Sequence, residues 1–163
     1  QALRSTAQTL GQVLSPDDAY LAARGLRTMA VRLKAHEAAA LDIAHWLAEP
    51  SEVATVLHPS LPSCPGHEIW KRDFSGAGRL FSVLFDPRYT EAQTDRFVDA
   101  LRLFRIGYSW GGPTSLVVPY DIRAMRTGGT AWSGHLVRLS IGLEAVDDLR
   151  HDLQQALQAA FGA

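Results

Sequence analysis

Cysteine is almost missing from this chain. Cys64 stands alone, which excludes an intramolecular disulfide and suits a reducing compartment, so a cytoplasmic setting is expected. Long apolar runs are absent, and the first residues lack the apolar core of a secretory leader. Neither a membrane span nor a membrane partner is expected. An excess of charge is also lacking: 16 basic against 17 acidic residues leave a net charge of −1, which gives no basic footprint for nucleic acid and no acidic tail. Lysine is scarce, with only Lys34 and Lys71. Internal repeats, low-complexity tracts and an interdomain linker are not seen. An initiating Met is missing too, so the chain is expected to be a piece of a longer protein. What is present is ordinary globular material: 163 residues, 47% hydrophobic and 20% charged, enough to bury a core as one domain.

Periodicity predicts a helix over 1–14, from Leu3, Ala7, Leu10 and Leu14. Ser15 then caps a second helix, with Pro16 in its first turn and Asp17 and Asp18 on the positive end of its dipole. The helical pattern runs almost unbroken to Ala48, with Gly25 as the expected bend and Glu49-Pro50 as the stop. A short strand is expected within 52–58, followed by irregular, proline-rich chain through Gly66. Leu80–Phe85 and Leu136–Ile141 read as strands; Thr90–Leu103 and Leu143–Phe161 read as helices. Asp121–Arg126 reads as a short turn or helix, and Thr127–Thr130 as a loop. The element order predicts an α+β fold, with a mostly antiparallel sheet of about four strands and helices packed on one face.

The chain is organised around 105–116, where Leu103-Phe104-Arg105-Ile106 runs into Gly107-Tyr108-Ser109-Trp110-Gly111-Gly112 and Leu116-Val117-Val118 leaves. Paired glycines allow a tight turn or a close backbone approach, and the turn presents a phenol, a hydroxyl and an indole. That is either a small-molecule site or a hairpin-like turn carrying surface aromatics. Gly107–Gly111 also matches the G-x-S-x-G nucleophile elbow, with Asp121 and His135 following in hydrolase order, but the repeated strand–helix units expected before an elbow are missing. His67-Glu68 opens like a zincin motif and then has Lys71 where the second His belongs. His58, Cys64 and His67 are separated by prolines, so no metal site is expected. Gly76-Ala77-Gly78 lacks the residues of a P-loop. In the strand 136–141, Val137, Leu139 and Ile141 share one face, which leaves Arg138 mid-strand on the other. A guanidinium there pairs with a carboxylate, either of this chain or of a ligand, or is simply exposed.

Several of these stretches carry a resemblance. They are Arg24-Gly25-Leu26-Arg27-Thr28, His58-Pro59-x-Leu61-Pro62, Gly66-His67-Glu68-x-Trp70-Lys71-Arg72-Asp73-Phe74-x-Gly76, Leu80-Phe81-Ser82, Tyr108-Ser109-Trp110-Gly111-Gly112 and Arg138-Leu139-x-Ile141-Gly142-Leu143-Glu144. In this order they resemble the Cys/Met-metabolism branch of fold-type I pyridoxal-phosphate (PLP) enzymes, specifically its C-terminal portion. The resemblance implies that 1–15 is the tail of a preceding PLP-binding domain and that 16–163 is the C-terminal domain. It implies a carbon–sulfur β-lyase acting on a sulfur amino acid. Arg138 would bind the substrate α-carboxylate, Ser109 and the backbone at Trp110 would line the same pocket, and Tyr108 would favour β- over γ-elimination. PLP, its Schiff-base lysine and its phosphate glycines would lie upstream, leaving no catalytic or cofactor-binding residue in this chain. A homotetramer built with the N-terminal PLP domain is implied as well. Thr114 departs from the pattern, replacing a Glu of many relatives, and leaves the exact substrate open. A Ser109 hydrolase and a non-catalytic binding or assembly domain are the competing readings.

Overall fold

The computed structural model describes residues 1–125 and 134–162, which form two compact units, 1–33 and 34–162. The loop expected at Thr127–Thr130 lies outside the described residues. In the first unit, α1 (Ala2–Thr9) ends earlier than its apolar spacing predicts, because the chain turns through Gly11 at φ +67°. Helix α2 (Pro16–Arg27) starts as expected: the Ser15 hydroxyl accepts from the Asp18 N–H at 3.1 Å. The expected bend at Gly25 is instead a break at Thr28, between α2 and α3 (Met29–Leu47). The Thr28 hydroxyl donates to the Gly25 carbonyl and accepts from Arg32 Nε, so its side chain competes for the bonds that a continuous helix would make.

The second unit is built on a sheet of order β1-β2-β5-β4-β3. Its strands are β1 (Val53–Leu57), β2 (Leu80–Phe85), β3 (Arg105–Ile106), β4 (Leu116–Tyr120) and β5 (Leu136–Ser140). β1, β2, β5 and β4 pair antiparallel, whereas β3 pairs with β4 in parallel. The sheet thus has five strands rather than about four, and the stretch 107–115 does not form a hairpin. A parallel neighbour requires the chain to travel back before it re-enters the sheet.

Alternation sorts the two faces. Phe81 stands opposite Leu139, which stands opposite Val117, and Val83 stands opposite Val137. These side chains join one core with Ala40, Ile43 and Leu47 of α3, Phe97 and Val98 of α5 (Glu91–Ala100), and Leu149, Leu153 and Ala156 of α7 (Val146–Phe161). The helices therefore pack on one face, and Ser82, Arg138 and Val118 share the other. Helix α4 (His67–Asp73) starts where the proline-rich segment ends, at Gly66 with φ +84°, and α6 (Ile122–Met125) is short. Helix α5 stops three residues before the expected Leu103. The buried Asp152 carboxylate of α7 takes the N–H groups of Arg102 and Leu103, at 2.9 and 2.7 Å. No helix among the described residues is long and apolar enough to cross a membrane.

Candidate functional site

On β5, Arg138 projects half-buried from the face away from the helices. Its Nη2 donates to the carbonyls of Tyr108, at 2.9 Å, and Gly107, at 3.3 Å. The guanidinium carbon stands 5.8 Å from the ring centre of Tyr120, and Tyr120 meets Tyr108 edge-on at 6.2 Å. The fold thus brings Arg138 and Tyr108 together, thirty positions apart in sequence. Tyr108 and Trp110 are 72% and 68% exposed, and Ser109 between them is exposed as well. Among the described residues no acidic side chain forms an ion pair with Arg138; the pairs found are Arg72–Asp73, Arg88–Asp86 and Arg150–Asp42.

The loop that presents these groups is tied down beneath. The buried Ser115 donates its N–H and hydroxyl to Glu144, at 2.7 and 2.8 Å, and its hydroxyl accepts from the Gly142 N–H at 2.8 Å. Leu143 N–H donates to the Pro113 carbonyl at 2.7 Å. Gly142 allows this approach, since a Cβ there would collide with Glu144 Oε2, the Pro113 carbonyl and the Ser115 nitrogen. Gly111 turns the loop at φ +96°. The sequence assigns no role to Tyr120, Ser115, Arg79 or His36. Alternation does put Tyr120 on the face of Arg138, but the pairings of Ser115 and Arg79 span 29 and 33 residues and leave no local pattern.

The hydrolase constellation does not assemble. Ser109 lies on a loop joining two parallel strands, not on a strand–helix elbow. Asp121 and His135 instead line a separate cleft with Glu91, Asp95 and Leu136, to which Ser109 does not contribute. The histidines near Cys64 have separate roles. His58 is fully buried against Phe81 and accepts from the Ser60 N–H, and burial holds its pKa below the ordinary value. His67 Nδ1 pairs with the Pro59 carbonyl at 2.9 Å. Burial pushes the Cys64 thiol pKa up. Both lysines are exposed, Lys34 on α3 and Lys71 on α4.

Residues 1–158 match the family described as Cys/Met metabolism PLP-dependent enzyme. The chain is 48% identical over 157 residues to a cystathionine beta-lyase of Salmonella typhimurium, covering 94% of this chain and 40% of that protein. It is 46% identical over 157 residues to a cystathionine beta-lyase of Escherichia coli, again 94% and 40%. A solved O-acetylhomoserine sulfhydrylase of Wolinella succinogenes superposes with a TM-score of 0.80 at 36% identity, over 96% of this chain and 42% of that one. The chain spans about two-fifths of the length of these relatives.

Proposed function

This chain belongs to the Cys/Met-metabolism PLP-dependent enzyme family, and from that premise we propose that it is the C-terminal, substrate-binding part of a carbon–sulfur lyase, a cystathionine β-lyase. With water, the whole enzyme would convert cystathionine to homocysteine, pyruvate and ammonia. The similarity to cystathionine beta-lyases supports that substrate. Its residues do not fit the cofactor on their own, because both lysines are exposed, so PLP is assigned to the upstream part of the protein. Assembly with that N-terminal domain, as a homo-oligomer in the cytoplasm, belongs to the same proposal. So do the division of the chain into 1–15 and 16–163 and the binding roles of Arg138, Tyr108, Ser109 and Trp110.

The observation that carries this reading is Arg138. Its guanidinium is steadied at Nη2 by two backbone carbonyls, and no acid among the described residues neutralises it. A planar fork with one edge engaged can offer another to a ligand carboxylate in two parallel bonds. Gripping the α-carboxylate fixes the orientation of Cα, and the contribution to catalysis is positioning. Tyr108, packed on Tyr120, borders the grip, and Ser109 and Trp110 extend the wall towards the rest of the substrate.

The test is Arg138→Ala in the full-length enzyme, assayed for pyruvate release from cystathionine. A lost charge-assisted pair predicts a fall in kcat/KM of at least ~10–100-fold, part of it in kcat. Arg138→Lys keeps the charge without the fork and recovers little. PLP content and thermal stability stay near those of the parent. A folded, PLP-loaded Arg138→Ala enzyme with unchanged kcat/KM would remove the carboxylate role.

A further inference from the structure

Arg79 is the buried arginine among the described residues, 8% exposed at the entrance to β2. A buried guanidinium needs partners, and those it finds come from distant segments. Its Nη1 donates to the Gly112 carbonyl at 2.7 Å and the Ile141 carbonyl at 3.3 Å. The same nitrogen lies against the imidazole of His36, itself buried on α3, in contact with both ring nitrogens, and His36 Nδ1 stands 2.8 Å from the Gly142 carbonyl. Arg79 Nη2 comes within 3.5 Å of the point where a Cβ on Gly111 would stand, so the turn is seated on the guanidinium.

The base of this side chain is held as firmly as its head. The Arg79 carbonyl accepts from the Ile141 N–H at 3.1 Å, and just before it Glu37 takes the Ala77 N–H at 2.6 Å. Adjacent residues of α3, His36 and Glu37, thus clasp the segment 77–79. Arg79 then reaches across to the Gly111–Gly112 turn, directly after Tyr108, Ser109 and Trp110.

We propose that Arg79, seated by His36, is a positioning residue for the substrate loop 107–112: it holds the double-glycine turn against the exit of β5, so that the Tyr108 carbonyl stays on Arg138 and the Trp110 indole stays at the pocket wall. This rests on the reading of Arg138 as the carboxylate grip. Arg79 touches no substrate; it acts through the backbone at Gly112. Displacing the turn loosens the second attachment of Arg138 and the wall beside it, which weakens substrate binding before it alters the bond-breaking step.

The experiment uses the full-length enzyme with Arg79→Met, Arg79→Lys, His36→Gln and Arg138→Ala, assayed for pyruvate release, with PLP content and melting temperature measured on the same samples. Arg79→Met is expected to raise KM for cystathionine about 5–10-fold, with kcat per bound PLP changed less than about 2-fold. Arg79→Lys still donates to the Gly112 carbonyl and recovers most of the KM. Support of folding alone would give the opposite split, a lower active fraction with KM unchanged, and that result overturns the proposal. If Arg79→Met does not fold, Arg79→Lys and His36→Gln decide: raised KM, larger for His36→Gln, upholds the role, and parental KM in both overturns it. An impaired Arg138→Ala beside Arg79 variants of normal KM rejects the positioning role alone. An unimpaired Arg138→Ala rejects the underlying grip.

Discussion

Arg138 and Tyr108 illustrate how one side chain acquires meaning from its strand. Alternation along 136–141 places the arginine away from the helices, but its partners are carbonyls thirty positions upstream. Tyr108 borders that guanidinium through Tyr120. In the full-length enzyme Tyr108→Phe is expected to alter kcat/KM moderately, and Tyr108→Glu to change the ratio of β- to γ-elimination, read from pyruvate against 2-oxobutanoate. Unchanged kinetics in both would detach Tyr108 from the site. His58 yields a pH prediction. Burial is the main cause that lowers its pKa; a neighbouring His45 adds to it, while the Gly78 backbone and Glu37 oppose. The unfolded chain binds that proton more readily, so the contribution to stability is complete above about pH 6.5 and is lost as the pH falls through the lower folded value. Urea unfolding from pH 7.5 down to 5 should show a shallower acid loss in His58→Gln than in the parent, and equal slopes would count against it.

At the scale of elements, the junction of α5 and α7 is set by one carboxylate. Asp152 receives two N–H groups where α5 would otherwise continue, and Gln155 donates to the Ala100 carbonyl at 2.7 Å. Deleting the acceptor leaves those donors without their partner at a half-buried site. Asp152→Ala should therefore cost about 1.5–3 kcal/mol in urea unfolding, with Asp152→Asn in between. A loss under about 0.5 kcal/mol, the usual range for surface positions, would contradict this. The start of α5 needed no tertiary information: Thr90 and Gln93 form a reciprocal capping box that is written in four consecutive residues. Its end is not legible locally, because Asp152 lies fifty residues away. The break at Thr28 escapes the local pattern for a different reason. Glycine is the commoner helix weak point, but here the carbonyl of Gly25 is the acceptor and the hydroxyl of Thr28 the competitor.

For the whole molecule, the two units differ in what they bury. Helices α1 and α2 contribute no buried residue, while the second unit contains the aromatic cluster of Phe85, Phe97 and Phe161 over the sheet. Amide hydrogen exchange should accordingly be fast across 2–27 and slow in β2 and β5, because protection follows burial. Comparable protection in both regions would overturn that expectation. The assignment of the cofactor upstream has its own check. This chain, mixed with PLP, dialysed and then treated with borohydride, should show no stoichiometric adduct on Lys34 or Lys71 by mass spectrometry, since an imine formed on an exposed lysine hydrolyses freely and is lost before the reduction. A stoichiometric adduct on either would relocate the site.

The sequence by itself determined the elements whose signals are local. The Ser15 and Thr90 caps, the alternation that divides Val137, Leu139 and Ile141 from Arg138, and the ordered motifs of the family all lie within a few residues of one another. Only the tertiary structure decided the parallel pairing of β3 with β4, and with it the path of the loop that carries Tyr108, Ser109 and Trp110. It also decided what holds that loop, through Glu144 on Ser115 and Arg79 on Gly112. The physical reason is distance along the chain. Caps and alternation follow from the geometry of neighbouring peptides, whereas a buried polar group takes whichever partner the closed fold delivers.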